Sequence, residues 1–216
     1  MDTDARADAP RQASTLPLRE ARKERTHRAL LDAALELTEE VGFASVSLRQ
    51  VTRAAGIVPT AFYRHYASMD ALGETLVDES FRTLRQLIRA VRTERAEPTA
   101  VISRSAEVLV THVHSHREHF RFIARERFGG VGALRRSIHE QLNLIIGELA
   151  DDFSAFPVTE GWSEADRYLL AELIVNQMVV VAEQILDSPD QEAAVVLRAE
   201  RQLTMVLVGV ARWRSR

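Results

Sequence analysis

Residues 47–66, SLRQVTRAAGIVPTAFYRHY, constrain this chain more than any other stretch. Ser47 and Gln50 have capping-box spacing: the serine oxygen accepts from the third helical N–H, and the glutamine reaches back to the cap. Leu48, Val51 and Ala55 then share one helical face. Gly56 follows, where the backbone calls for a positive φ that glycine adopts at least cost. Pro59 stands where a first-turn proline is tolerated, because that N–H has no helical partner. Phe62 and Tyr66, four apart, pack inward together and leave Thr60, Tyr63, Arg64 and His65 outward. The pattern is helix, glycine turn, helix. It is the layout of a DNA-binding helix-turn-helix, and the outward residues donate to phosphates or base edges. An ordinary helical hairpin with a polar face has the same periodicity, so both readings stay open at this level.

The surrounding words narrow the choice. AAGIVPTAFYRHY with ALGETLVDES behind it resembles the TetR family of one-component transcriptional repressors. RKERTHRALLDAALELTEEVGFASVSLRQV in front is similar to that family's first helix and its lead-in, so the resemblance spans residues 22–87. Two positions depart from the pattern. Val58 stands where the family often has a capping serine, and Met69 where it often has a phosphate-binding lysine. A valine there suits contact with a thymine methyl. The resemblance implies an all-α fold of about nine helices, with an N-terminal three-helix DNA-binding domain and a C-terminal helical domain for ligand binding and dimerisation. It places phosphate or base contacts at Thr26, Ser47, Arg49, Thr60, Tyr63, Arg64 and His65.

Composition sets the outer limits. Hydrophobic residues make up 46 % and charged residues 27 %, the balance of an ordinary soluble protein. The chain has no cysteine, which excludes disulfides and cysteine-ligated metals. No apolar run reads as a bilayer span and the N-terminus lacks the features of a secretory signal, so the expectation is a cytoplasmic protein with no membrane partner. The formal net charge of −3 argues against a general nucleic-acid coat, whereas residues 19–66 carry eight cations against six carboxylates. A slightly basic edge on an acidic body fits site-specific binding.

In chain order, residues 1–18 are polar and proline-containing and predict a disordered arm. Residues 19–68 form the DNA-binding unit, with Leu30, Ala34, Leu37 and Val41 on one face of the first helix and Gly42 ending it. Residues 69–216 form the body. A helix from Met69 to about residue 91 belongs to both units and is the expected lever between them. Helices follow over 99–115, 134–153, 164–187 and 191–213, with a further segment through Gly129 and Gly130. The last two are apolar around most of their circumference, which calls for burial on two sides. A second copy supplies the second side, as a four-helix bundle about a twofold axis. TetR proteins dimerise this way and read near-palindromic operators.

Leu84, Ile88, Leu109, Phe122, Leu142, Ile146 and Met178 are the candidate lining of an effector pocket. A finer resemblance appears in FASVSLRQV, PTAFYRHY, VDES, LRQLIR and GELAD, which are similar to the repressors of unsaturated fatty acid synthesis. That likeness implies a long-chain acyl-CoA effector, with Arg121, Arg125 and Arg127 as cations for its phosphates; salt bridges to neighbouring glutamates explain the same arginines. Two other classes stay in view. His112, His114, His116 and His119 raise the question of a zinc-dependent hydrolase, although a helix boundary near residues 115–117 spoils the ligand spacing. A helical lipid carrier without DNA recognition is the other. No cofactor, no metal and no catalytic group is expected.

Overall fold

The computed structural model describes the backbone of residues 18–92 and 98–215, and the side chains of 20–82, 84, 85 and 102–215. The expected arm lies outside the described residues apart from Leu18, which opens the first helix. Nine α-helices and no strand are present among the described residues: α1 Leu18–Val41, α2 Leu48–Ala54, α3 Pro59–Phe62, α4 Met69–Arg92, α5 Pro98–Ser115, α6 Arg117–Glu126, α7 Gly132–Phe153, α8 Glu164–Asp187 and α9 Glu192–Val210. Short 3-10 turns occupy Phe43–Ser45, Pro157–Thr159 and Pro189–Gln191.

Local chemistry sets most boundaries. Ser47 accepts from the Gln50 N–H while Gln50 Oε1 accepts from the Ser47 N–H, the reciprocal pair predicted for the start of α2. Gly56 ends that helix at φ 67°, and Gly42 ends α1 at φ 75°. Ser163 caps α8 by accepting from the Asp166 N–H at 3.2 Å. α3 is shorter than the sequence pattern suggests. Its α-helical pairing stops at Phe62, but Arg64, His65 and Tyr66 still donate their N–H groups to the carbonyls of Ala61 and Phe62. The chain therefore stays coiled through Tyr66. α9 stops at Val210, before Trp213.

The core is continuous across the two units. Leu30, Ala34, Phe43, Val51 and Phe62 of the N-terminal head join Leu72, Leu76, Phe81, Phe122, Leu134 and Ile138 in one buried cluster. Each such side chain contributes about 1.5–3 kcal/mol when removed from water. A second cluster of Leu109, Val113, Val181, Ile185, Val195 and Ala199 ties α5, α8 and α9 together. α4 runs between head and body. A side-chain carbon at its Gly73 would come within 2.7 Å of Phe43 and 2.8 Å of Leu134, so the glycine permits close approach on both sides.

α8 corrects one expectation. Its most apolar window has a mean hydropathy of 1.6, long and apolar enough by composition to cross a membrane. Its buried residues, including Ala171, Val175, Ala182 and Ile185, pack within the two helical clusters. What remains is an apolar outer face, with Leu169, Leu173 and Val180 exposed on α8, and Leu197, Met205 and Val208 on α9.

Candidate functional site

The head presents one outward surface. Phe62 is fully buried and Tyr66 nearly so, their rings 5.6 Å apart, and this anchors the short α3 from inside. The Tyr66 hydroxyl lies 2.9 Å from His27 Nδ1, with the two rings stacked at 5.4 Å, so α1 is clamped to the end of the turn. Burial pushes the Tyr66 phenol up, with Glu79 and Glu24 adding to the shift; it stays a neutral structural group. Thr60, Tyr63 and Arg64 are exposed on the opposite side, and Tyr63 is 63 % accessible. Val58 is equally open at 63 % and makes no side-chain cap, as its departure from serine suggests.

The other sequence-predicted DNA residues differ in how they are held. Arg49 is exposed on the first turn of α2. Ser47 is exposed too, but its hydroxyl serves the capping box. Thr26 donates its hydroxyl to the Arg22 carbonyl at 3.0 Å within α1. His65 is half-buried, and its pKa is lowered by burial and then by His27, Lys23 and Arg64. It is therefore neutral near pH 7 until an anion approaches.

A second feature lies in the body. Phe81, Leu84, Leu109, Phe120, Ile123, Ala124, Leu142, Ile145, Val175, Met178, Val179 and Ala182 line a small apolar cavity of about 40 Å³. Glu183 is the charged residue on its wall. Burial raises the Glu183 pKa, Asp187 adds to this, and Arg127 opposes it through an ion pair at 2.9 Å.

Of the predicted lining residues, Leu84, Leu109, Leu142 and Met178 reach this wall. Phe122 and Ile146 are buried in the core and do not. The Ile88 side chain lies outside the described residues. Phe81, Phe120, Ile123 and Val175 were missed because apolar helical spacing marks burial without telling a cavity wall from solid core. The arginines proposed for a phosphate group are drawn elsewhere: Arg121 pairs with Glu39 at 3.3 Å, and Arg125 donates to the carbonyls of Thr38 and Glu39 at 2.8 and 2.9 Å. They face a polar chamber between α1, α6 and α8, lined also by Phe122, Glu126, Phe128, Glu183 and Asp187.

The histidine cluster does not assemble a metal centre. The His112 and His116 rings stack 5.5 Å apart, but α5 ends at Ser115 and puts His116 at the break between helices. His119 turns to Ser80, with 2.8 Å between Nδ1 and Oγ, and His114 pairs with Glu192 at 2.5 Å. Among the described residues no three histidines or carboxylates are placed to hold one ion.

Comparison with known proteins agrees with this geometry. Residues 30–76 match the family described as bacterial regulatory proteins, tetR family. A transcriptional regulator from Pseudomonas aeruginosa PAO1 shares the fold with a TM-score of 0.72 at 19 % identity, over 90 % of this chain and 97 % of that one. A TetR-like transcriptional regulator from Rhodococcus sp. RHA1 aligns with a TM-score of 0.67 at 19 % identity, over 85 % and 96 % of the two chains. The fatty acid degradation regulator FadR from Bacillus halodurans aligns with a TM-score of 0.68 at 15 % identity, over 88 % and 97 %. The family's signature falls on the helix-turn-helix described above, and the solved structures share the fold of the whole chain.

Proposed function

We propose that this chain is a DNA-binding transcriptional regulator of the TetR type, a homodimeric repressor of fatty acid or lipid metabolism genes, released or engaged by a hydrophobic effector such as long-chain acyl-CoA. Residues 19–68 form its DNA-binding domain and residues 69–216 its ligand-binding and dimerisation domain. It works in the cytoplasm on a near-palindromic operator. Thr60, Tyr63, Arg64, His65 and Arg49 touch the operator, with Ser47 and Thr26 at the sugar-phosphate backbone. The observation that carries the reading is the pairing of an exposed helix-turn-helix surface with an apolar cavity behind it. The cavity's apolar lining suits an acyl chain, which would part the surrounding helices on entry. The sequence resemblance favours this effector, and one protein of the same fold is named as a fatty acid degradation regulator.

The dimer rests on α8 and α9. Leu169 and Leu173 are 58 % and 48 % exposed, and Met205 is 74 % exposed. Apolar side chains on two adjacent helices mark a surface that gains from being covered.

Fluorescence anisotropy on an operator fragment selected from genomic DNA tests the proposal. Tyr63→Ala is expected to weaken binding roughly ten- to hundredfold, about the 1–3 kcal/mol of one good base-edge contact. Wild-type affinity in that variant would remove Tyr63 from the interface. Oleoyl-CoA is expected to shift the wild-type curve; a curve unmoved by it, with no binding to the free protein, would discard the acyl-CoA assignment.

A further inference from the structure

α6 is ten residues long, and successive residues on it turn by 100°. Phe120, Ile123 and Ala124 project to one side, where they line the apolar cavity. Arg121, Phe122, Arg125 and Glu126 project to the opposite side, where every one of them meets the head. Arg121 pairs with Glu39 at 3.3 Å. Phe122 sets its ring against Phe43 at 6.3 Å. Arg125 donates from Nη1 to the Thr38 and Glu39 carbonyls in the last turn of α1, where Thr38 also accepts the Gly42 N–H. Glu126, 2 % exposed, accepts the Phe43 N–H at 2.9 Å.

We infer that Arg125 and Glu126 are positioning residues for DNA binding: they form a latch that fixes the end of α1 and the Gly42–Phe43 turn, and through it the helix-turn-helix. The turn feeds the DNA-reading elements directly. Phe43 begins the 3-10 turn, and Ser47, the cap of α2, follows four residues later. The same helix that closes the cavity therefore holds the head, and an occupant that displaces Phe120 and Ile123 moves the latch with them. The ends of α6 allow this. Its N-terminus at His116 has no side-chain cap, and Gly129–Gly130 follow its last turn. α4 was the lever expected from sequence; α6 gives a shorter route, from the cavity wall to the head across the width of one helix.

The latch predicts two kinds of variant. Arg125→Met removes both bonds to α1, and Glu126→Met leaves the buried Phe43 N–H without its acceptor. Arg125→Lys keeps a charged donor, and Glu126→Gln keeps an acceptor. Full-length dimer and the selected operator fragment serve for the test. Without effector, each methionine variant is expected to bind about tenfold more weakly, and to exchange amide hydrogens faster over residues 40–47 while the body keeps its protection. The Lys and Gln variants recover most of the affinity. The salt slope of binding stays within one of wild type, because neither residue touches phosphate.

Wild-type operator affinity with unchanged exchange at 40–47 in Arg125→Met would overturn the latch, and that exposed residue is replaceable without a folding penalty in the core. Loss of protection throughout the body would also overturn it, since the role would then be general stability. The effector arm rests on the proposed function and reads separately. With oleoyl-CoA as the probe, the fold-change in operator affinity on saturation shrinks in both methionine variants while its binding to free protein is unaltered. Failure of oleoyl-CoA to bind wild type strikes the effector assignment alone, and the effector-free measurements still decide the latch.

Discussion

Two turns in the head end on a glycine in the left-handed region, and they do different work. At Gly56, φ 67°, an added side-chain carbon meets nothing within 4 Å. At Gly42, φ 75°, it meets Glu126 Oε1 at 3.4 Å and Arg125 Cδ at 3.5 Å. The first turn belongs to the helix-turn-helix alone and faces solvent. The second is docked against the body. One shapes the DNA-reading surface, and the other carries the contact through which the body reaches that surface. A backbone requirement of the same kind thus serves recognition in one place and coupling in the other.

Breaking the first turn from inside gives the largest expected effect. Phe62→Ala removes a fully buried ring that holds α3 against Tyr66 and α1. The cost is about 3–5 kcal/mol, comparable with the whole stability of a small domain. Operator binding is expected to vanish in anisotropy. Far-ultraviolet circular dichroism should retain most of the helical signal, because α5, α8 and α9 share a separate cluster. Collapse of the entire helical signal would show that head and body melt as one unit, as their common first cluster permits.

Replacing each glycine by alanine sharpens the comparison at smaller cost. The strain of an alanine at positive φ is about 1–2 kcal/mol at Gly56 and up to about 3 kcal/mol at Gly42, whose ψ of 157° lies in a region essentially confined to glycine. The melting temperature is expected to fall further in Gly42→Ala. The variants should part in effector response: Gly56→Ala keeps the wild-type ratio of operator affinities with and without oleoyl-CoA, whereas Gly42→Ala reduces it. Equal ratios in the two variants would mean that the docked turn carries no coupling.

The first turn was legible in the sequence and the second only half so, for a physical reason. Ser47 with Gln50, Gly56 and Pro59 act within a few residues of themselves, and local hydrogen bonding fixes their geometry. The inward pair Phe62 and Tyr66 follows from helical spacing. Gly42 as a helix stop was equally readable. Its neighbours were not, because Arg125 bonds to carbonyls 87 and 86 residues earlier and Glu126 to an N–H 83 residues earlier. FRFIARER groups Phe122, Ile123 and Ala124 ahead of Arg125, Glu126 and Arg127, and helical spacing separates two faces without saying which element each one meets. The arginines therefore looked available for a ligand's phosphates, and a buried glutamate had no local sign at all. The cavity was legible as apolar content. Which of the predicted lining residues reach it, Leu84, Leu109, Leu142 and Met178 but not Phe122 or Ile146, depended on how five helices pack.

Two histidines carry the comparison into pH, with the smallest expected effects. His119 lies on α6, the helix docked against the Gly42 turn, with its Nδ1 facing Ser80 Oγ on α4. Ser80 gives its own hydrogen to the Leu76 carbonyl, so His119 supplies the proton between them. Burial lowers the His119 pKa first, Glu79 and Asp32 pull it back, and His116 and Arg28 lower it further. The unfolded chain then binds this proton more readily than the folded one. Stability from His119 is complete above the unfolded value of about 6.5 and is lost as pH falls through the lower folded value. His65, on the proposed DNA surface, is also lowered, but phosphate favours its charged form. Its linkage has the opposite sign, and operator affinity should rise as pH drops from 7.5 to 6. Melting curves over that range are expected to flatten in His119→Gln, and anisotropy titrations to flatten in His65→Gln. Should His119→Gln instead remove the pH dependence of operator binding, proton uptake at the body would be reaching the DNA surface, and α6 would be sensing acid as well as ligand.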